Sequence, residues 1–339
     1  MKKLPYFVWI LLLLASRASA QSYTVTDLGT LTGDSYSVGS ALNSAGHVVG
    51  GAGSSVQHGF FWSTSQGMLD LPPLHGGIFS VAAGINAGSV VVGTSTINQG
   101  GTDHAVLWIN GKVRDLGTLP GGTVSVGNAI NAAGQVAGGS NSSSTDTHAI
   151  LWSKATGMRD LGVLGGGGGY SLASGVNRFG EVVGASTIVG INFHGFYWTK
   201  TRGMHYLGTL PGGTSSYAYG LNDLGQIAGY SDCGSSCLHA VLWVPGGKIR
   251  DLGSLANSTE SNGNGINNAG HVVGYAVLPG AVYHAFVWSQ TAGMQDLNDL
   301  IDTTSGWTLL FAYAINDAGQ ITGSGLINGE SHAFLLTPR

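Results

Sequence analysis

Seven histidines stand at matched places along the chain: His58, His104, His148, His194, His239, His284 and His332. Five are followed by an aspartate in an Asp-Leu step, at Asp70, Asp115, Asp160, Asp251 and Asp296, while Tyr206 takes that place after His194. Imidazole beside carboxylate is material for acid-base catalysis and, with more ligands, for a metal centre. Symmetry argues against both. Equivalent residues of separate repeats converge only if they line a common axis, and this histidine opens a strand expected well away from it. The expected role is a hydrogen bond between strands, with the repeated aspartate as a candidate partner, because a polar group buried in a sheet needs a partner. Two cysteines, Cys233 and Cys237, are close enough in sequence for a local disulfide, the default in an exported chain. A Cys-x-x-x-Cys zinc half-site is the alternative, but no second half-site accompanies it. There is no Gly-x-Ser-x-Gly elbow, His-Glu-x-x-His helix or phosphate loop. No catalytic residue, metal or cofactor is assigned.

The elements that carry these residues repeat. Aligned on the Asn of a Gly/Ala-apolar-Asn step, the copies fall at Asn43, Asn86, Asn131, Asn177, Asn222, Asn267 and Asn316. A tryptophan follows the histidine in six of them, at Trp62, Trp108, Trp152, Trp198, Trp243 and Trp288. Each copy reads as four strands: one running into the Asn, a turn of the form Asn-x-x-Gly, a second strand, a variable loop, then a third and a fourth strand. Asn at the first position and Gly at the fourth suit a type I turn. The second copy has Gly88 one place early, which predicts a different turn there. The last copy stops after its third strand, and the Asp-Leu-Gly of a fourth strand stands instead at Asp27-Leu28-Gly29, ahead of the first copy. A ring closes in this way, by one blade borrowing a strand from the opposite terminus. Units of about 45 residues with four strands match propeller blades. The predicted fold is all-β: a seven-bladed β-propeller of four-stranded blades, closed by the N-terminal strand.

Composition sets the address and narrows the partners. The start, Met1-Lys2-Lys3, an apolar run and Ala18-Ser19-Ala20, has the three parts of a secretory signal peptide. The predicted division is 1–20 signal peptide and 21–339 propeller domain, placing the protein in the periplasm or outside the cell. No second apolar stretch is long enough to span a membrane. Over 339 residues there are 13 Lys+Arg against 17 Asp+Glu. Without Lys2, Lys3 and Arg17 the balance is 10 against 17, or −7. An acidic chain without basic clusters argues against nucleic acid and against anionic membranes. A monomer is expected.

The quoted residues also resemble a family. His332-Ala333-Phe334-Leu335 and His284-Ala285-Phe286-Val287, with Asp-Leu-Gly-x-Leu-x-Gly-Gly, look like the extracellular HAF-repeat proteins of bacteria, over almost all of 23–339. The resemblance implies export and repetition. It carries no catalytic residues to transfer.

Binding is expected where copies differ. The loops between second and third strands and the connections between copies should emerge on one face, opposite the Asn-x-x-Gly turns, and variable loops on a rigid scaffold are where binding usually sits. Seven residues before the Asn stand Tyr36, Phe79 and Tyr170, a partial aromatic arc; Trp307 is a further odd aromatic on that face. These four are the candidate ligand-binding residues, suited to stacking a sugar or a peptide side chain. The expected function is an exported non-enzymatic binding or scaffold module that engages a glycan or a protein through the loop-rich face. The alternative is a secreted polysaccharide-active enzyme at the channel mouth. It would need three of Asp103, Asp146, Asp232, Glu260, Asp299, Asp302 and Glu330 to gather with a histidine such as His75.

Overall fold

Apolar and β-branched residues separated by glycine turns fold here into strands. The computed structural model describes residues 22–142, 146–166, 168–188, 192–234 and 237–339; the expected signal peptide lies outside these residues. The described residues form 28 strands and one short 3-10 helix, Leu297–Leu300. One repeat shows the plan. An inner strand, Ser216–Leu221, pairs antiparallel with Ile227–Asp232, which pairs with Leu238–Val244, which pairs with the outer strand Lys248–Asp251. The other repeats build four-stranded sheets in the same order. A single parallel bridge, Leu238 to Glu260, joins this sheet to the next. Inner strands of successive sheets touch one another, and the last, Trp307–Ile315, touches the first, Tyr36–Leu42.

The first and last strands share a sheet. Tyr23–Asp27 pairs antiparallel with Glu330–Pro338, in a sheet completed by Ile321–Ile327 and Trp307–Ile315. His332 Nδ1 meets Asp27 at 2.9 Å, and Arg339 N donates to Ser22 O.

The recurrent Asn does two jobs. Its Oδ1 accepts backbone N–H groups of its own turn, as Asn222 does from Leu224 and Gln226. Its Nδ2 donates to the backbone carbonyl of the next Asn along: Asn43 to Asn86, Asn86 to Asn131, Asn131 to Asn177, Asn177 to Asn222, Asn222 to Asn267 and Asn267 to Asn316. Asn316 then donates to Asn43 at 3.0 Å. All seven Asn are buried, so these groups would otherwise lose water without replacement. The second copy differs from expectation. Its turn keeps the Ser89 N to Asn86 O bond, and Ser89 itself adopts φ 56°, the left-handed conformation that Gly fills in the others. The turn shape is preserved at a local backbone cost of about 1–2 kcal/mol.

Sheets pack face to face through the repeated tryptophans. Trp108 and Trp243 are buried, and Trp108 Nε1 donates to Pro72 O of the preceding sheet's outer connection. Arg114, Arg159 and Arg250 lie over Trp152, Trp198 and Trp288, each reaching from one sheet to the next. A serine on the inner strand fastens neighbouring sheets: Ser125 Oγ accepts from Ala105 N and donates to Gly117 O. Ser37, Ser80, Ser171 and Ser261 make the same pair of bonds.

Candidate functional site

Six of the seven histidines pair with an aspartate, in every sheet but the fourth. Nδ1–carboxylate distances are 3.1 Å for His58–Asp70, 2.8 Å for His104–Asp115, 2.9 Å for His148–Asp160, 3.0 Å for His239–Asp251 and 2.5 Å for His284–Asp296. The carboxylate also accepts the backbone N–H two residues on, from Gly117 to Asp115 and from Gly253 to Asp251. That explains the Asp-Leu-Gly step: one carboxylate ties the third strand to the outer strand and turns the chain toward the next sheet. Where Tyr206 replaces the aspartate, its ring stands edge-on to His194 at 5.0 Å, and His194 Nδ1 is buried without a hydrogen bond.

Cys233 and Cys237 are joined as a disulfide, with Cα atoms 5.4 Å apart. The non-repeat acids stay in separate settings. Asp232 caps its own loop by accepting from Thr214 and Ser215 N. Hydrogen bonds from Thr304 hold the exposed Asp302 carboxyl below its usual range. Burial raises Asp103, partly offset by His104. Among the described residues, the acids proposed for catalysis do not gather with His75 into a cluster of three.

What does gather is aromatic. Tyr170 meets Phe193 at 5.6 Å, edge-on, and Phe193 meets Tyr217 at 6.2 Å. Tyr217 stacks on Tyr219 at 4.7 Å and on Tyr230 at 6.0 Å. A second group continues on the following sheets: Tyr275 with Tyr283 at 5.8 Å, both against Phe311 at 5.1 and 5.0 Å, and Phe311 with Tyr313 at 6.1 Å. Asn262 stands between the groups. It is buried, its Nδ2 is 3.5 Å from the Tyr275 hydroxyl, and its Oδ1 has no hydrogen bond. The array spans four consecutive sheets. Tyr170 precedes an inner strand and Phe193 and Tyr283 stand at the start of third strands, the end from which the variable loops leave, while Tyr219, Tyr275 and Tyr313 lie deeper along their strands. Phe193 and Tyr283 are 36% and 37% exposed, so the outer part is open to solvent.

Local structure puts these rings together. The inner strand carries a bulge between Ala218 and Gly220, leaving Tyr219 outside the regular ladder, and a like irregularity between Ala312 and Ala314 isolates Tyr313. A bulge re-aims one side chain. At the same place Asn128 and Asn264 reach the next sheet's inner strand, at Ala173 O and Ala312 O. Tyr217 and Tyr230 are direct cross-strand partners. Burial pushes the Tyr217 phenol up to about 12, with Tyr170 and Tyr230 adding to it. Burial also raises Tyr170, Tyr219, Tyr230 and Tyr313. The surface is aromatic and hydroxyl-bearing, with the Asp232 carboxylate close enough to Tyr230 to raise its phenol further.

Of the four residues picked from sequence, Tyr170 belongs to this array. The other three have different neighbours. The Tyr36 hydroxyl lies 3.1 Å from Gln57 Oε1, Phe79 is half-buried with its backbone bound to Thr96, and Trp307 packs edge-on against Phe334 beside the last sheet's core. The larger array left a signal in the repeats. Five residues before the Asn stand Val38, Val81, Val126, Leu172, Tyr217, Asn262 and Phe311, and three before it only copies five and seven have an aromatic, Tyr219 and Tyr313. Tyr230 and Tyr275 likewise occupy a second-strand place that is Gly, Thr, Ala or Ser elsewhere.

The sheets define a β-propeller architecture. The chain is similar to the extracellular domain of a one-component system from B. thetaiotaomicron (TM-score 0.56, 8% identity, 92% of this chain and 39% of that one). It is also similar to a puromycin-hydrolyzing peptidase from Mycobacterium tuberculosis (TM-score 0.50, 14% identity, 91% and 49%) and, with a TM-score of 0.44, to TolB from Acinetobacter baumannii (11% identity, 84% and 60%). The chain thus spans roughly two fifths to three fifths of those proteins' lengths. At these identities the likeness to the first two is one of fold. No protein-family model and no curated protein matches the sequence.

Proposed function

We propose that the chain is an exported, non-enzymatic binding module: a closed seven-bladed propeller that engages a glycan or a protein through its loop-bearing face. The HAF-repeat resemblance and the signal-peptide pattern favour export to the periplasm or beyond. The circuit of Asn hydrogen bonds from Asn43 through Asn316 and back favours closure. The observation that carries the binding reading is the aromatic array from Tyr170 to Tyr313. Rings on several adjacent inner strands offer flat area for a sugar face or an apolar side chain, and the phenols offer hydrogen bonds. The low charge of the chain favours a neutral partner. The catalytic alternative lacks a comparable observation.

A glycan and peptide array with the mature protein tests the reading. Tyr283→Ala and Phe193→Ala, at exposed positions, are expected to weaken binding of any retained ligand at least tenfold with an unchanged melting curve. Retained ligands that bind these variants as well as the parent would remove the array from the site.

A further inference from the structure

The His–Asp pair recurs in sheet after sheet, but among the described residues it meets sulfur in one place. Cys233 follows the strand Ile227–Asp232, and Cys237 precedes Leu238–Val244. Cys233 N donates to Cys237 O at 3.2 Å and holds the two ends of the loop together. His239 lies two residues beyond Cys237, on the same side of the extended chain. The ligand atoms of Cys233, Cys237 and His239 all lie within 4.8 Å of one another, and all three residues are partly buried. Tetrahedral zinc holds such atoms about 3.3–3.8 Å apart, so once the disulfide is open the sulfurs part by roughly 2 Å and the histidine nitrogen closes in by at most about 1.5 Å.

Asp251 prepares the histidine. Both its carboxylate oxygens stand 3.0 Å from His239 Nδ1. With the proton held on that nitrogen, Nε2 keeps its lone pair for a cation. A carboxylate behind a histidine is the usual support of a zinc ligand. In the other sheets the same pair has a purely structural use, so the fifth repeat needed only two cysteines in its loop to gain a preoriented third ligand.

We propose that reduction of the Cys233–Cys237 disulfide turns this loop into a Zn2+ site, with two thiolates and His239 Nε2 as ligands and Asp251 as the positioning residue. A dithiol reductant passes two electrons and two protons to the disulfide and is itself oxidised to a disulfide. The two thiols formed give up their protons as the cation binds. So short a bridge constrains little of the unfolded chain, so opening it leaves the sheet folded. Disulfide and metal are alternative states of one loop. The proposal is independent of the aromatic surface.

Cobalt titration tests it, with Co2+ as the optical stand-in for Zn2+. Protein reduced with a dithiol and freed of it under anaerobic conditions is expected to bind one equivalent, with a thiolate-to-cobalt charge-transfer band in the near ultraviolet that Zn2+ abolishes. Cys233→Ser should lose most of that band. His239→Gln should weaken affinity at least tenfold and Asp251→Asn by roughly 10–100-fold. His104→Gln, the same pair in another sheet, should leave it unchanged. Circular dichroism of each variant separates a lost ligand from a lost fold. A reduced, natively folded protein without the band overturns the proposal. So does a natively folded His239→Gln variant with the parent's affinity, or equal binding by the oxidised protein.

Discussion

Burial holds the Tyr217 phenol up to about 12 and does the same for Tyr23, while unfolded tyrosine ionises near 10. Tyr219 and Tyr197 are raised as well, chiefly by burial. The sign of the consequence is fixed. Between the unfolded and folded values the unfolded chain has lost protons that the folded chain keeps, so stability falls as pH rises. The contribution is complete below about pH 10 and is lost on the way to about 12. Absorbance at alkaline pH should show these phenols ionising late and together with unfolding, whereas Tyr283→Phe, at an exposed position, should leave that transition in place. Early, independent ionisation of every tyrosine would contradict the burial described above. The same residues show what sequence could reveal. Tyr170 was visible because it shares its place with Tyr36 and Phe79 in other repeats. Tyr217 and Tyr219 have a weaker signal of this kind, and which residues meet across a bulge and between neighbouring sheets depends on how the sheets pack.

At the scale of the strand, glycines have two distinct uses. Gly229 lies in the second strand, where an added Cβ would run into the Tyr217 carbonyl, and Gly93, Gly138, Gly184 and Gly274 face the same obstacle on their own inner strands. Gly203, by contrast, has open space around it and a φ of +72°. Gly229→Ala is therefore expected to destabilise by about 3 kcal/mol or more through overpacking. Gly203→Ala should cost about 1–2 kcal/mol through backbone strain alone. Denaturant titration of the two variants checks the order; equal costs would mean the second strand can move away from the inner one. Strand positions were legible from the repeat because Asn, His, Trp and Asp-Leu fix its register in every copy. The close approach of inner and second strands is hinted at by the small residues, but the bulge beside it has no single-residue signature. The second copy's turn departs from its sequence pattern because Ser89 adopts the glycine conformation while keeping its bond to Asn86 O.

Across the whole molecule, the pairing of Tyr23–Asp27 with Glu330–Pro338 places two distant parts of the chain in one sheet. Tyr23 and Leu28 are 2% and 5% exposed, so they belong to the core although they stand ahead of the first repeat. Deleting residues 22–29 should lower stability by more than about 5 kcal/mol, the scale of two lost core side chains. A deleted protein with the parent's denaturation midpoint would show that this strand is dispensable. The offset of Asp27-Leu28-Gly29 made the pairing legible in advance, since the last copy lacks the fourth strand that this segment supplies. The pairing also sets a timetable. Asp27 and its partner His332 are 305 positions apart, so on a ribosome the first strand waits through the synthesis of nearly every repeat before its partner exists. Contacts this remote form slowly, and an unpaired strand edge invites association with other chains. A chain cut short before Glu330–Pro338 would leave that edge bare.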